Sequence, residues 1–325
     1  MRYYLLPGLE IVRLYGLDKY REKIERYLKT REDILDTPAI LSETALSRNL
    51  TRKDFSLFER VSTPEPGAFI VLGLYLELLV YWNEEDLLLR ILEDMSTQYP
   101  THTCLAFYNH DYDFAKYNSR IPRNVRILNC GYTSSRTAND ILIPFWTVEE
   151  NPHTEPKTQF ASFIGTANNA MREAFMNAIQ SYNHPDIQTK QLHGEEYLRE
   201  LSRTTFTLCP RGGLQEFGCP HYSSPMSTQC EHPSHPGGFT YRVYEAIQAR
   251  SIPVLFVDKI QYPMTDVLDW DAISIRFPET LTTDIAEVHR RLKAIDPAPY
   301  FAALESAREQ LSLRSVQQYI VSHLT

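Results

Sequence analysis

Short apolar runs alternate with longer amphipathic stretches along most of this chain. The runs are apolar on both faces, as strands in the interior of a parallel sheet are. This alternation predicts an α/β protein with parallel sheets. The chain has 325 residues, of which 43% are apolar, and this is enough for two domains of about 150 residues each.

A polar, proline-containing segment at 147–159 interrupts the alternation and is typical of a connector between domains. We therefore predict a first domain over 1–150, a second over 151–300, and a C-terminal helix over 301–325 that could pack back on the first domain. The predicted strands are 1–6, 68–75, 104–109, 125–130, 140–145, 160–165, 205–210 and 252–257. The predicted helices of the second half are 168–182, 194–203, 241–250 and 284–295.

Charge and hydropathy argue against several classes of protein. The net charge of −8 indicates no general affinity for nucleic acid. The most apolar window, 68–82, is shorter than the roughly 20 residues of a membrane-spanning helix, and the N-terminus lacks the pattern of a secretory signal. We therefore expect a soluble, cytoplasmic protein. The five cysteines predict no disulfide framework, although one bond between Cys219 and Cys230 stays open.

Charged residues stand at the edges of two apolar elements of the second domain. Arg211 directly follows the strand 205–210, and Arg242 and Glu245 lie in the first turns of the helix 241–250. A strand's carboxyl end and the following helix's amino end share one edge of a parallel sheet, so these side chains should face one crevice. Two guanidinium groups beside a carboxylate suit a nucleoside diphosphate, with arginines on phosphate and the acid on ribose. An Arg–Glu ion pair beside a solvated arginine is the alternative.

A second strand–turn–helix unit, at 163–173, is expected to border the same crevice. Gly165 and Thr166 could bring backbone amides close to a ligand, and Arg172 lies in the first turn of the helix. The turn is neither G-x-G-x-x-G nor a Walker motif, so the usual fingerprints of nicotinamide and P-loop sites are absent.

Three motifs follow one another between Phe206 and Asp271: F-T-L-C-P-R-G, then Y-R-V-Y-E-A-I-Q-A-R-S-I-P-V-L-F-V-D, then Y-P-M…V-L-D-W. They resemble the exostosin-like glycosyltransferases, family 47 of the sugar transferases, in their C-P-R-G turn, R-x-x-E-A helix, I-P-V strand and closing L-x-W. A looser similarity extends upstream to about residue 60.

The resemblance implies a GT-B fold, in which two Rossmann-like, doubly wound parallel-sheet domains face each other across a cleft. It also implies an inverting transfer of a sugar from a nucleoside diphosphate sugar to a glycan hydroxyl. A UDP-sugar is the expected donor, although no residue selects the base or the sugar. No metal or other cofactor is expected to be required. The donor-binding residues implied in this way are Glu245 for the ribose, Arg211 and Arg242 for the diphosphate, with Arg172, Gly165, Thr166 and Tyr241 beside them.

Inversion needs a general base, which should come from the first domain. The candidates follow the strand 104–109 in the segment N-H-D-Y-D, with Asp111 preferred, Asp113 second and His110 third. The alternative is a polar turn that caps a short helix, and Glu65 also stays open as the base.

The segment 212–240 is rich in potential metal ligands. Their spacing is not that of a standard zinc site, so a flexible acceptor loop is preferred to structural zinc. Two alternative functions stay open. One is a GT-B-like protein that binds nucleotide or glycan without catalysis, and the other is a zinc-containing interaction protein. The potential ligands are Cys219, His221, Cys230, His232 and His235.

Overall fold

The computed structural model divides the chain into two compact units. One comprises Met1–Trp146 with Leu313–Thr325, and the other Thr147–Ser312. The predicted boundary at residue 150 lies close to this division, and the end of the chain belongs to the first unit. The structure describes residues 1–6, 11, 13–17, 57, 59–76, 79, 84–108, 114–129, 136–144, 151–167, 170–211, 240–258 and 261–324.

Within the described residues, the first unit contains a parallel sheet with the strand order β2-β1-β3-β4-β5-β6. The strand β4 is buried along its whole length, as its uninterrupted apolar sequence predicts. The helix α1 (Glu85–Gln98) leads from β3 to β4 and buries one apolar stripe. The strands are β1 (Arg2–Leu6), β2 (Glu59–Arg60), β3 (Phe69–Tyr75), β4 (Cys104–Tyr108), β5 (Val125–Asn129) and β6 (Asp140–Leu142).

The second unit contains a parallel sheet whose described strands are β7 (Gln159–Ile164), β8 (Ile187–Lys190), β9 (Thr204–Pro210), β10 (Ile252–Phe256) and β11 (Ile275–Phe277). Their order is β8-β7-β9-β10-β11, and every pair is parallel. The chain passes from β7 out to β8 and returns on the far side of β7 to form β9. The topological switch point therefore lies between β7 and β9, where doubly wound sheets bind ligands at their carboxyl edge.

Helices connect these strands and cover the sheet. The rings of Phe163, Phe175 and Phe256 pack edge to face in the core, with centroid distances of 5.6 Å and 5.0 Å. None of the described helices is long and apolar enough to cross a bilayer. The helices are α2 (Ala170–Tyr182), α3 (Gly194–Arg203), α4 (Tyr241–Gln248), α5 (Trp270–Ile273), α6 (Ile285–Lys293) and α7 (Ala298–Gln310), followed in the first unit by α8 (Leu313–Leu324).

Each of the eight predicted strands is present, with bounds that differ by a few residues at most. The two-residue strand β2 was not predicted. The elements β8 and β11 were not predicted either. The first is a mostly polar edge strand, and the second has three residues and an exposed Arg276, so neither has the apolar run by which interior strands are identified. The helix α1 was also not predicted, although its buried Leu88, Leu92 and Met95 recur at helical spacing.

The motif Y-P-M…V-L-D-W has structural roles in the connection from β10 to β11. Trp270 is buried, and its indole Nε1 donates to the carbonyl of Pro263 at 2.7 Å. Asp269 caps α5 by accepting hydrogen bonds from the backbone N–H groups of Asp271 and Ala272. The tryptophan of this motif therefore holds the connection in place.

Candidate functional site

Three of the predicted donor-site residues lie at the carboxyl edge of the second sheet, at its switch point. Gly165 directly follows β7, Arg211 directly follows β9, and Arg242 is the second residue of α4. The backbone N–H of Gly165 donates to the carbonyl of Lys190 at 2.9 Å, which continues the β7–β8 ladder to this edge. The topology therefore brings together residues that are far apart along the chain.

The guanidinium group of Arg242 lies against Gly165. A Cβ atom at position 165 would come within 2.1 Å of Arg242 Nη2 and 3.0 Å of Cζ, so glycine leaves the space that the guanidinium occupies. Arg242 Cζ also lies 4.6 Å from the centroid of the Phe163 ring. Arg242 is only 8% exposed, and these contacts restrict it to one place.

Two donors of this guanidinium have no protein partner among the described residues. Nε and Nη1 of Arg242 are buried and make no hydrogen bond there. Burial of a charged group without a partner is unfavourable by several kcal/mol. The contact with the Phe163 ring offsets about 1–2 kcal/mol of this. An anionic ligand would satisfy both donors, because a guanidinium presents its N–H groups as a fork that matches phosphate oxygens.

Arg172 connects the end of β9 to the start of α4. Its Nε donates to the carbonyl of Arg211 at 3.1 Å, and its Nη2 donates to Thr240 Oγ1 at 3.0 Å. Thr240 is the N-cap of α4, and the same hydroxyl accepts from the backbone N–H of Arg242 at 3.4 Å. These contacts make Arg172, itself buried, a residue that positions Arg211 and Arg242.

Glu245 accepts a hydrogen bond from the hydroxyl of Tyr197, on α3. Burial raises the pKa of Glu245, whereas the Tyr197 hydrogen bond and the charge of Arg242 act to lower it. Burial and the nearby Glu245 charge raise the pKa of Tyr197, so its phenol stays a donor. Nε and Nη1 of Arg242 make no hydrogen bond to Glu245 among the described residues, although the charge of Arg242 acts on the pKa of Glu245.

Arg211 forms an ion pair with Glu279, and the distance from Nη2 to Oε2 is 3.6 Å. The two side chains are 25% and 20% exposed. Burial raises the pKa of Glu279, Arg211 lowers it, and the charge of Asp258 raises it. A long, partly exposed ion pair of this kind contributes little stability, so an anionic ligand could take the place of Glu279 on Arg211.

A buried thiol lies close to the same charges. Cys209 is 2% exposed, and its Sγ lies 3.3 Å from the carbonyl of Thr207. Burial raises the pKa of Cys209 to about 12, although Arg242 and Arg172 act to lower it. The thiol is therefore neutral at physiological pH and is not a nucleophile.

Of the remaining predicted site residues, only Thr166 has a described side chain. Thr166 follows Gly165 and is exposed. Tyr241 is the first residue of α4, but its side chain lies outside the described part of the chain. The candidate bases His110, Asp111 and Asp113 also lie outside the described residues, so they stay predictions.

The potential zinc ligands of the segment 212–240 lie outside the described residues as well. The same holds for the open question of a bond between Cys219 and Cys230. Among the described cysteines, Cys104 and Cys209 are free thiols.

Tyr197, Thr240 and Glu279 belong to the site but were not predicted. A local signal exists for Thr240, since a threonine directly before a predicted helix is a common N-cap. Tyr197 and Glu279 reach the site from α3 and from the segment after β11. Only the tertiary structure shows that they meet Glu245 and Arg211.

The fold is that of an α/β protein in which a buried arginine, with two guanidinium donors that make no hydrogen bond among the described residues, lies at a sheet edge. The model of the Exostosin GT47 domain matches residues 101–295, more than half of the chain. The chain belongs to the exostosin GT47 family of glycosyltransferases. This membership and the two successive parallel-sheet units together confirm the predicted GT-B fold class.

Several solved structures are distantly similar to this chain. The GtfA/B complex is 8% identical, with 80% of this chain and 57% of that chain covered and a TM-score of 0.46. The pneumococcal O-GlcNAc transferase GtfA in complex with UDP and GlcNAc is 9% identical, with the same 80% and 57% covered and a TM-score of 0.41. MurG of Acinetobacter baumannii is 10% identical, with 99% and 98% covered and a TM-score of 0.41. The chain spans a little over half the length of the first two proteins. Similarity this distant assigns no functional role to any residue.

Proposed function

We propose that this protein is an inverting glycosyltransferase that moves a sugar from a nucleoside diphosphate sugar to a hydroxyl of a glycan acceptor. This proposal rests on one observation about Arg242. Two donors of its guanidinium group are buried and have no partner among the described residues, and they lie at the switch point of a doubly wound sheet. In a member of the exostosin GT47 family, the diphosphate of the donor is the ligand that fits such a site. A UDP-sugar is the donor we expect.

In this proposal the diphosphate binds between the ends of β7 and β9. Arg242 donates from Nε and Nη1 to phosphate oxygens, and Arg211 exchanges Glu279 for a second phosphate contact. The amino end of α4 adds the partial positive charge of the helix dipole. As the sugar leaves, negative charge grows on the diphosphate, and the fixed arginines stabilise it.

The ribose is proposed to bind to Glu245. A carboxylate accepts hydrogen bonds from neighbouring hydroxyl groups, and the hydroxyl of Tyr197 holds this carboxylate in place from the other side. Burial makes such a carboxylate a stronger hydrogen-bond partner than one in water.

The transfer step is a single displacement at the anomeric carbon. A general base removes the proton of the acceptor hydroxyl, the acceptor oxygen forms a bond to the anomeric carbon, and the bond to the diphosphate oxygen breaks. The nucleoside diphosphate leaves with the electron pair, and the configuration inverts. Asp111 is the proposed base, with Asp113 and His110 as the second and third candidates.

A panel of nucleotide sugars tests this proposal on the purified chain. Donors that bind the folded state raise its melting temperature by mass action. The stabilising donor is then incubated with glycan acceptors, and NMR of the product shows the anomeric configuration. Inverted product supports the proposal, and retained configuration contradicts it. Binding with neither hydrolysis nor transfer for any donor favours the non-catalytic alternative.

A further inference from the structure

We propose that the second unit has a binding site for a divalent transition metal ion, formed by His184, Asp186 and His289. His184 and Asp186 lie in the turn between α2 and β8, and His289 lies on α6. Asp186 directly precedes β8, so the site lies at the amino edge of the sheet, whereas Arg242 and Gly165 lie at the carboxyl edge. The inference does not depend on the proposed transfer reaction.

The three side chains already converge. One ligand atom from each can be chosen so that all three lie within 4.8 Å of one another. His289 Nε2 is 3.1 Å from Asp186 Oδ2, near the separation of about 3.3 Å between two ligands of a tetrahedral zinc ion. The rings of His184 and His289 have centroids 4.4 Å apart. A small movement of the three side chains towards one another would place their ligand atoms around one ion.

The surrounding side chains hold the His289 imidazole in an orientation that suits a metal. Tyr182 Oη lies 2.8 Å from His289 Nδ1. When Nδ1 carries the proton and donates to Tyr182, Nε2 presents its lone pair on the side of Asp186, as in many metal-bound histidines. Tyr182 also stacks on His184, with centroids 5.6 Å apart and planes 17° apart. Asn183 has a φ of +48°, which makes the turn that brings His184 back towards α6.

Three existing contacts compete with a metal ion. The first is the hydrogen bond between His289 Nε2 and Asp186 Oδ2, because the proton that these two atoms share must leave before the ion can bind. Lys293 Nζ lies 2.6 Å from Asp186 Oδ2, but its side chain is 51% exposed and can turn into solvent. The backbone N–H of Asp186 donates to His184 Nδ1 at 3.2 Å, which is at the long end of the hydrogen-bond range. His184 must turn out of this contact in order to bind the ion. The lysine shows that Asp186 already attracts a cation.

The ligand set indicates which ions would bind. Two imidazoles and one carboxylate suit zinc, cobalt, nickel or copper better than calcium or magnesium, which prefer sites made of oxygen atoms. Three protein ligands leave a fourth position for water. Because α6 and the α2–β8 turn are both ligated, the ion would link these two elements and raise the stability of the unit.

The test is a titration of the metal-free full chain with Co²⁺, followed by visible absorption, and with Zn²⁺, followed by calorimetry. The double variant Cys219→Ser/Cys230→Ser serves as the background, because a site in the segment 212–240 would show the strong near-ultraviolet band of thiolate–cobalt bonds. In this background we expect a visible cobalt band without the thiolate band. We also expect a zinc-dependent rise in melting temperature.

Variants then assign the site. His184→Ala and His289→Gln should each weaken zinc binding by about tenfold or more, whereas the matched control His193→Ala, an exposed histidine outside the cluster, should not. Lys293→Met should tighten binding, because it removes the competing cation. The proposal is overturned if the background variant shows no cobalt band, or if folded His184→Ala binds zinc as the background does. His184 lies in a turn, so this variant keeps the test open even if His289→Gln does not fold.

Discussion

The guanidinium group of Arg242 occupies the space that a side chain at Gly165 would need. An added Cβ atom would lie 2.1 Å from Nη2, well inside van der Waals contact. The absence of a side chain at the end of β7 therefore allows an arginine from α4 to reach the switch point of the sheet. This contact fixes where the proposed phosphate-binding group can lie.

Gly165→Ala is the first test of this arrangement. The methyl group should push the guanidinium away from Phe163 and the sheet edge, because the atoms that the added Cβ would meet all belong to that guanidinium. We expect the free energy of unfolding to fall by about 1–3 kcal/mol. The affinity for UDP should fall by about tenfold or more, since hydrogen bonds to charged groups contribute about 1.5–3 kcal/mol each. Urea unfolding and calorimetric titration measure the two effects.

A double-mutant cycle provides the control for this prediction. In an Arg242→Ala background the added methyl group meets no guanidinium, so Gly165→Ala should cost much less stability there than in the wild type. Equal costs in both backgrounds would show that the two side chains do not interact.

Thr240 is predicted to position the arginines through its hydroxyl group. Thr240→Val keeps the shape of the side chain but removes the acceptor for Arg172 Nη2 and for the backbone N–H of Arg242. We expect a loss of stability of about 1–2 kcal/mol together with a weaker affinity for UDP. Thr240→Ser retains the hydroxyl and should restore both. If Thr240→Val and Thr240→Ser change the affinity for UDP by the same factor relative to the wild type, the hydroxyl group does not have this role.

Tyr197→Phe should shift the pH dependence of nucleotide binding. The Tyr197 hydrogen bond lowers the pKa of Glu245, so its removal should raise that pKa further. Glu245 would then be protonated at a higher pH, and UDP binding would weaken at a higher pH than in the wild type. Calorimetry from mildly acidic to neutral pH measures this. If the UDP affinity of the variant and of the wild type depends on pH in the same way, Tyr197 and Glu245 do not act together in binding the ribose.

Lys157 should make stability rise with pH above neutrality. Its Nζ donates to the carbonyls of Ser202, at 2.7 Å, and Ala249, at 3.4 Å, and burial, followed by the charge of Arg250, lowers its pKa to about 7. The unfolded chain keeps the proton up to about pH 10. Between these values the unfolded state binds more protons, so the free energy of unfolding increases with pH.

Lys157→Met lacks this titration. The stability of the wild type relative to this variant should therefore increase from pH 7 to pH 9, by about 2 kcal/mol. Urea unfolding at the two pH values measures it. A difference that stays constant, or that shrinks as the pH rises, would show that the lysine keeps an ordinary pKa in the folded state.

The convergence of Arg211 and Arg242 on one sheet edge follows from the sequence because parallel strands impose it. Once the strand 205–210 and the helix 241–250 are recognised, their connected ends must share an edge, whatever the loop between them does. Interior strands are similarly predictable, since their apolar runs are long and uninterrupted. The short strand β11 lacks such a run, and the tertiary structure alone identifies it.

Side-chain partners were much less predictable than elements. The placement of Arg242 against Gly165, the Tyr197–Glu245 hydrogen bond and the bonds from Arg172 to Arg211 and Thr240 depend on rotamers and on packing between residues distant in sequence. The family resemblance placed Arg172 beside the donor, but it did not show that this side chain bonds to the carbonyl of Arg211 and to Thr240.

The central claim is that the unpaired donors of Arg242 bind the diphosphate of the donor. Calorimetric titration of UDP and of uridine, with wild type and with Arg242→Met, tests it directly, because the methionine keeps the apolar packing but not the charge. We predict that the wild type prefers UDP to uridine by a wide margin, that the variant loses about tenfold or more of this preference, and that its affinity for uridine is unchanged. A folded variant that keeps the full preference for UDP would contradict the claim.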